Sequence, residues 1–169
     1  MGLLHIYCGD GKGKTTAALG LALRAAGAGI KVCFVQFMKG GETAELAALK
    51  RIPDIYVMRC DRAYGFFKNM SDTDKAEITV CHNGLLKKAF GSGYGLIILD
   101  EFNAAYGCGL IDREAARELI LKGVENAEVV LTGRNPDEAF IEAADYVSDI
   151  CCVKHPYEKG ITARKGIEY

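Results

Sequence analysis

The sequence lacks an excess of positive charge. Its 21 lysine and arginine residues are balanced by 22 aspartate and glutamate residues, so the formal net charge is −1. Proteins that bind nucleic acid over a broad surface carry a clear surplus of lysine and arginine. The charge balance therefore indicates no nucleic-acid partner, although it leaves room for a local basic groove.

The cysteines lack the spacing of a metal site or of a disulfide framework. Seven cysteines are scattered along the chain, no Cys-x-x-Cys pair occurs, and only Cys151 and Cys152 are adjacent. Zinc sites and disulfide scaffolds use regularly spaced or even-numbered cysteines. We therefore expect reduced cysteines that pack as small apolar residues in a cytoplasmic protein.

Long apolar runs are also lacking. No run approaches the roughly 20 apolar residues that a membrane-spanning helix needs, and no basic and apolar leader precedes the first apolar run. We therefore expect neither a secretory signal nor a membrane partner. Repeats, low-complexity tracts and proline-rich linkers are missing as well. Residues 1–169 are predicted to form a single domain.

What the sequence does have is a regular alternation of short apolar runs and helix-like stretches. The apolar runs predict strands over residues 3–8, 31–37, 55–59, 96–99, 128–131 and 146–153. Short strands that are apolar throughout are typical of parallel sheets buried on both faces. The pattern predicts an α/β fold with a mainly parallel central sheet and helices on both of its faces.

Several of the predicted helices have recognisable start signals. The helices cover residues 15–28, 42–51 and 71–90, and two more begin near residues 112 and 135. Ser71 and Asp74 have the spacing of a capping box. Asp112 is expected to cap the fourth helix. Asn135 is expected to cap the fifth, with Pro136 in its first helical position.

A glycine-rich stretch connects the first predicted strand to the first predicted helix. It consists of Gly9, Asp10, Gly11, Lys12, Gly13, Lys14, Thr15 and Thr16. In this context small residues let backbone N–H groups point at phosphate oxygens, and the helix N-terminus adds its own unpaired N–H groups. Lys14 can neutralise phosphate charge, and the Thr15 hydroxyl can coordinate a divalent ion. We predict that all eight residues bind a nucleotide, and we expect this nucleotide to be ATP.

The stretch departs from the general P-loop pattern at one position. The pattern has a glycine five residues before Gly13, where this chain has Cys8. The alternative interpretation is a surface turn rich in glycine and lysine that binds nothing. The apolar strand before the stretch and the apolar helix after it favour the nucleotide site.

A second element of a nucleotide site is the apolar run at residues 96–99, which ends in Asp100 and Glu101. It resembles a Walker B strand, whose aspartate holds Mg²⁺ directly or through water. We predict Thr15 and Asp100 as ligands of the metal. Together with Lys14 and Glu101 they form the predicted catalytic set. The alternative for Glu101 is a solvated loop carboxylate.

Further segments follow in a fixed order. They are Gln36-Phe37-Met38-Lys39-Gly40, Asp100-Glu101-Phe102-Asn103-Ala104, Thr132-Gly133-Arg134, residues 144–149, residues 153–156 with Lys154-His155, and the closing residues 160–169 with Gly166-Ile167-Glu168-Tyr169. Together with the glycine-rich stretch, this set resembles the ATP:corrinoid adenosyltransferases, of the cob(I)yrinic acid a,c-diamide adenosyltransferase type. The loop of that family also lacks the leading glycine.

The resemblance implies a RecA-like three-layer fold, a homodimer and an unusual reaction. The 5′-deoxyadenosyl group of ATP passes to the Co(I) of a corrinoid and triphosphate is released, in adenosylcobalamin biosynthesis or salvage. It also implies Mg²⁺ or Mn²⁺ as the ion and an ATP molecule that lies reversed in the loop. A flavoprotein that donates electrons is the implied protein partner.

The resemblance also implies a corrinoid pocket with apolar aromatic walls. Its predicted residues are Tyr64, Phe66, Phe67, Gln36 and Lys39, and Phe66 stands at the phenylalanine of the family's Gly-Phe segment. Aromatic walls offer cobalt no replacement for its lower axial ligand, so they would help Co(II) to lose that ligand before reduction. The alternative for Phe67 is an aromatic side chain that only covers the edge of the sheet.

The chain departs from the family in the corrinoid region. Lys68 stands where some members carry tryptophan, and the segment after Gly40 is short. Many members also have an N-terminal helix that folds over the corrinoid, whereas this chain begins at its first strand. We therefore expect a more open corrinoid site. Arg134 is predicted to reach phosphate because ligands gather where parallel strands end, and Lys154-His155 either contact a ligand or have a structural role.

Two other functions stay open at this point. An ordinary P-loop ATPase or kinase would transfer the γ-phosphoryl group and release ADP. A non-catalytic ATP-binding regulatory protein would bind the nucleotide without turnover. The segments outside the loop, above all Phe66 and the closing residues, favour the adenosyltransferase.

Overall fold

Six parallel strands form one central sheet in the computed structural model, which describes residues 1–41 and 43–168. The strands are β1 (Leu4–Cys8), β2 (Val32–Gln36), β3 (Ile55–Arg59), β4 (Leu96–Asp100), β5 (Glu128–Thr132) and β6 (Tyr146–Asp149). Their order across the sheet is β3-β2-β4-β5-β1-β6, and each neighbouring pair is parallel. Glu42 and Tyr169, which belong to the predicted second helix and the closing segment, lie outside the described residues.

Helices connect the strands on both faces of the sheet. They are α1 (Lys14–Gly27), α2 (Ala44–Leu49), α3 (Asp72–Phe90), α4 (Phe102–Gly107), α5 (Arg113–Gly123) and α6 (Glu138–Ala143), with short 3₁₀ turns at Phe67–Asn69 and Pro156–Lys159. Ser71 and Asp74 form the predicted capping box of α3. Asp112 caps α5 by accepting the Ala115 N–H at 3.0 Å, as predicted. Within the described part of the chain, none of the helices combines the length and apolarity that crossing a membrane requires.

The side chains of β4 alternate between two apolar cores, one on each face of the sheet. Leu96 and Ile98 pack in the core that contains Ala18 of α1. Ile97 and Leu99 pack in the core formed with α3, α4 and α5. Because every residue of β4 is buried, the strand is covered on both faces. This confirms the predicted three-layer α/β fold.

The start of α6 differs from the prediction. Asn135 has a φ of 49°, whereas an N-cap residue needs an extended backbone. Asp137 has that backbone, with φ −67° and ψ 139°, and its carboxylate accepts the Ala139 N–H at 3.1 Å. The prediction that Asn135 and Pro136 open this helix is therefore wrong, because Asp137 supplies the cap.

Two further elements differ from the sequence prediction. β6 ends at Asp149 and does not continue to residue 153. The chain also turns into α4 directly after β4, and this helix buries Phe102, Ala105 and Tyr106. The six residues of α4 complete fewer than two turns, which is too short for a helical period to be visible in the sequence.

One pair of cysteines forms a disulfide, which corrects the expectation that all cysteines are reduced. Cys60, which follows β3, is bonded to Cys81 on α3, and their Cα atoms lie 6.2 Å apart. The 21-residue separation of the pair gives no sign of this bond, because only the packing of α3 near the end of β3 brings the thiols together. Cys8 and Cys33 are free and buried, as expected of cysteines that pack as apolar residues.

Candidate active site

The carboxyl ends of four neighbouring strands bring the predicted nucleotide residues together. β2, β4, β5 and β1 are adjacent in this order. Gln36 ends β2, Asp100 ends β4, Thr132 ends β5, and the glycine-rich loop follows β1. Because parallel strands point the same way, these ends meet at the edge of the sheet where α/β proteins bind ligands.

The glycine-rich loop has the backbone of an anion-binding turn. α1 begins at Lys14, and its N-cap residue, Gly13, leaves the first turn without a side-chain cap. The φ of Gly13 is 123°, a conformation that residues with a Cβ rarely adopt. Gly11 packs so closely on the chain after β6 that an added Cβ would lie 2.5 Å from the Ile150 carbonyl oxygen. The loop therefore presents the uncapped N–H groups of α1, which can bind phosphate.

The Lys14 side chain lies across this loop. Its Nζ donates to the carbonyl oxygens of Gly9 at 2.7 Å and Gly11 at 2.8 Å. Both partners are neutral, so the positive charge of the ammonium is not balanced by them. The lysine stem is flexible, and a small rotation can redirect Nζ to a phosphate oxygen.

Asp100 is the centre of the site. Its side chain is fully buried, and its Oδ1 accepts hydrogen bonds from the hydroxyls of Thr15 and Thr132, both at 2.8 Å. Lys39 Nζ lies 3.2 Å from Oδ2. A buried carboxylate needs such partners because its charge has been removed from water.

The oxygen donors of the site fit a hard divalent ion. The Thr15 hydroxyl and the Asp100 carboxylate are adjacent, and Mg²⁺ and Mn²⁺ prefer oxygen ligands. Across residues 1–41 and 43–168, no three His, Cys, Asp or Glu side chains form a cluster that could hold a metal alone. An ion here would take water and, once a nucleotide is bound, phosphate oxygens as its further ligands, which is the usual arrangement for Mg²⁺ at nucleotide sites.

Glu101 belongs to the same charged site. Its backbone adopts a left-handed conformation with a φ of 58°, which places a half-buried carboxylate next to Asp100. Burial, and then the Asp100 charge, raise the pKa of Glu101 above its usual value. Three nearby cations act in the opposite direction: Lys39, Lys14 and Arg134. A carboxylate with these neighbours is not the solvated loop group that the sequence left open.

Two exposed ion pairs hold the outer side of the loop. Arg134 Nε lies 3.1 Å from Asp10 Oδ1, and Lys12 Nζ lies 3.0 Å from Glu168 Oε1. Exposed pairs of this kind contribute little stability, so both cations can turn to a phosphate group. A cavity of about 400 Å³ opens beside Lys12, between the loop and residues 151–157.

The aromatic residues predicted to bind the corrinoid lie on the segment after β3. Phe66 is 78% exposed and presents an apolar face to solvent. Phe67 begins a 3₁₀ turn and has the Lys75 ammonium 5.6 Å from the centre of its ring. The Arg62 guanidinium lies 4.7 Å from the ring centre of Tyr64. Of the three aromatics, Phe66 has the ring that is most exposed to solvent.

The other two residues predicted to bind the corrinoid lie on the nucleotide side. Gln36 is buried, and its amide oxygen and nitrogen have no hydrogen-bond partner among the residues described. It is opposite Asp100 in the register of the sheet. Lys39 forms an ion pair with the same aspartate. Both residues therefore lie beside Asp100.

Two residues that shape the site were missed by the sequence predictions. Thr132 donates to Asp100 and accepts the Glu101 N–H at 3.0 Å, so it fixes the end of β4. Its position at the end of a predicted strand was an available signal. His82 is buried on α3 and accepts the Met38 N–H at 3.4 Å, and no pattern in the sequence indicates that contact.

The whole chain matches a known protein family. Residues 1–169 match the model described as ATP:corrinoid adenosyltransferase BtuR/CobO/CobP. A corrinoid adenosyltransferase of Pseudomonas aeruginosa is 35% identical over 172 residues, covering 99% of this chain and 84% of that protein. Those of Escherichia coli K12 and Salmonella typhimurium, the latter called CobA, are 29% and 31% identical over 99% of this chain and 86% of each relative. This protein therefore belongs to the ATP:corrinoid adenosyltransferase family.

Proposed function

We propose that this protein transfers the 5′-deoxyadenosyl group of ATP to the Co(I) of a corrinoid and releases triphosphate, in adenosylcobalamin biosynthesis or salvage. The match of all 169 residues to the adenosyltransferase family carries the proposal. The phosphate site of Lys14, Thr15 and Asp100 supports it, because the aromatic segment around Phe66 follows β3 at the same edge of the parallel sheet.

In the proposed reaction the cobalt acts as the nucleophile. Its electron pair forms the Co–C5′ bond, the C5′–O bond breaks, and the electrons of that bond leave with the triphosphate. Negative charge therefore grows on the leaving group. Lys14, whose Nζ lies across the loop, and the uncapped N–H groups at the start of α1 would stabilise that charge. The protein needs no nucleophile of its own, since the corrinoid supplies it.

We assign the divalent ion to Thr15 and Asp100. Mg²⁺ or Mn²⁺ bound there would neutralise part of the triphosphate charge. Glu101 lies beside Asp100, where its carboxylate can order water molecules around the ion. Arg134 and Lys12 are close enough to the loop to contact the far end of the triphosphate.

The corrinoid is assigned to the exposed aromatic segment after β3. Phe66 presents an apolar ring, which cannot replace the lower axial ligand of the cobalt. A corrinoid held against it would lose that ligand to solvent, which favours reduction of Co(II) to Co(I). Tyr64 and Phe67 would extend the apolar wall.

The family resemblance supports three further proposals about the surroundings of the enzyme. We propose that it acts in the cytoplasm as a homodimer and that a flavoprotein supplies the electrons for cobalt reduction. The formal net charge of −1 gives no support to a nucleic-acid partner.

An anaerobic assay with ATP, Mg²⁺ and chemically reduced cobalamin tests the proposal. We expect light-sensitive adenosylcobalamin and an equal amount of triphosphate, followed through the cobalamin spectrum and by separation of the phosphates. ADP and phosphate without a Co–C bond would identify an ordinary P-loop hydrolase. Bound ATP without any product would identify a regulatory protein.

A further inference from the structure

None of the roles proposed so far explains the ion pair between Lys39 and Asp100. Lys39 Nζ lies 3.2 Å from Asp100 Oδ2. Among the described residues, Lys39 is the cation that forms an ion pair with Asp100. The other contacts of this fully buried carboxylate come from the neutral hydroxyls of Thr15 and Thr132. Burying an unpaired carboxylate is strongly unfavourable. The Lys39 ammonium is therefore the group that balances the Asp100 charge.

The backbone around Lys39 is held on both sides. Met38, with a φ of 59°, donates its N–H to His82 Nε2 at 3.4 Å. His82 Nδ1 lies 3.1 Å from the Leu110 carbonyl oxygen, which can only accept, so Nδ1 carries the proton and Nε2 is the acceptor. Arg59 Nη2 donates to the Lys39 carbonyl oxygen at 3.3 Å. These contacts fix the turn, whereas the side chain of Lys39 is held through its ion pair with Asp100.

Lys39 also stands between the two halves of the site. On one side it lines a cavity of about 430 Å³ together with Thr15 and Thr16 at the start of α1. On the other side it lines a small pocket with Cys60 and Tyr64, which belong to the aromatic segment. With a triphosphate in the loop and a corrinoid at the aromatic segment, Lys39 would lie between the two substrates. This position of Lys39 between the two substrates rests on the proposed function.

We propose that Lys39 has two alternative partners: Asp100 before a divalent ion binds, and the leaving triphosphate afterwards. With no metal bound, its ammonium balances the Asp100 carboxylate. When a divalent ion binds Asp100, the ammonium is released and turns to the triphosphate oxygens next to the C5′–O bond that breaks. The side chain is 32% exposed, and its four-carbon stem can make this movement. Lys39 thereby adds a positive charge to the triphosphate at the moment the ion arrives.

The proposal predicts two effects of opposite sign in one variant, both measured without corrinoid. Lys39→Met removes the group that competes with the ion, so the nucleotide-free protein should bind Mn²⁺ at least about threefold more tightly, as measured by electron paramagnetic resonance. At saturating Mn²⁺, the same variant should bind tripolyphosphate about tenfold more weakly by calorimetry, because one charged hydrogen bond is lost. Lys39→Arg keeps the charge and should stay within about twofold of the parent in both measurements.

The controls separate this role from damage to the fold. Lys122→Met removes an exposed lysine that pairs with Glu118 on α5 and should change neither affinity. A distorted site would bind both Mn²⁺ and tripolyphosphate more weakly. Affinity changes of opposite sign therefore indicate competition between Lys39 and the ion at Asp100. If Lys39→Met is poorly folded, Mn²⁺ should raise its Tm more than that of the parent. Unchanged or weaker Mn²⁺ binding, unchanged tripolyphosphate binding, or an Arg variant that behaves like Met would overturn the proposal, whether or not adenosyl transfer is observed.

Discussion

The two halves of the site are built in opposite ways. On the phosphate side, Asp100 is fully buried and bonded by side chains from three other parts of the chain. On the aromatic side, Phe66 is 78% exposed on a segment whose only regular structure is a 3₁₀ turn. Charge that develops on a leaving group is stabilised by partners in fixed positions. A wide apolar ligand instead requires an open surface. The difference teaches that positional precision is concentrated at the proposed triphosphate site, where the reaction would break its bond.

The largest effect is expected from breaking the rigid half at Lys14. Lys14→Ala should lower adenosyl transfer about 1000-fold, because it removes a charge directed at the leaving triphosphate. The fold should stay intact, since the two hydrogen bonds that Lys14 makes are to loop carbonyls. Steady-state kinetics under anaerobic conditions, with circular dichroism as a check of folding, measure this. Lys122→Ala serves as the control, and unchanged activity in Lys14→Ala would remove the loop from the mechanism.

The second prediction concerns what anchors the open half. The Cys60–Cys81 bond ties the start of the aromatic segment to α3. A bond that closes a loop of this length stabilises the folded state by about 3 kcal/mol. Reduction with dithiothreitol should therefore lower the free energy of unfolding in urea by up to that amount.

A double variant, Cys60→Ser with Cys81→Ser, should start at the lower stability and gain or lose nothing on reduction. Cys108→Ser is the matched control, because Cys108 is free and packs in the same small apolar cluster as Cys60 and Cys81. Equal urea midpoints for the oxidised and reduced parent protein would contradict the prediction.

His82 accepts the Met38 N–H and lines the small pocket between Lys39 and Tyr64. Its effect should appear as a pH dependence of stability. Burial lowers its pKa from 6.5 to about 4, with the Leu110 hydrogen bond acting in the opposite direction. As the pH falls below 6.5, His82 becomes protonated in the unfolded chain, whereas in the folded protein it stays neutral until about pH 4. Stability should therefore fall across that window by up to about 3 kcal/mol.

Urea unfolding at several pH values measures this dependence against a His82→Gln variant. The variant lacks the titrating ring, so its stability should fall less steeply over the same window. Curves of equal slope for the two proteins would show that His82 does not titrate as its burial requires.

The predictability of the two halves from the sequence also differs. Gly9 to Thr16 and Asp100 were predicted because their chemistry follows from neighbours in the sequence: a strand, a turn and a helix start. The partner of Lys39 could not be predicted in this way. Lys39 and Asp100 meet because β2 lies beside β4 in the sheet. The alternation of strands and helices predicts a parallel sheet, but it does not predict the order of the strands.

The disulfide and the cap of α6 show the same limit at shorter range. Cys60 and Cys81 meet through the packing of α3 near the end of β3, which no cysteine spacing encodes. Asn135 and Asp137 are both good capping residues by type, and the backbone conformation after β5 decides between them. Side-chain chemistry was readable from the sequence, and the tertiary packing that selects its partners was not.

The smallest effect, and the one that sharpens the comparison most, is expected at Phe66. Phe66→Ala should lower turnover from Co(II) plus a reductant about tenfold, because a ring that covers the cobalt face is lost. With cobalamin already reduced to Co(I), which has no lower ligand to lose, the same variant should be nearly unaffected. Val80→Ala removes a comparably exposed apolar side chain on α3 and should alter neither rate. Equal losses with both cobalt states would mean that Phe66 only holds the corrinoid, and the open half would then contribute binding alone.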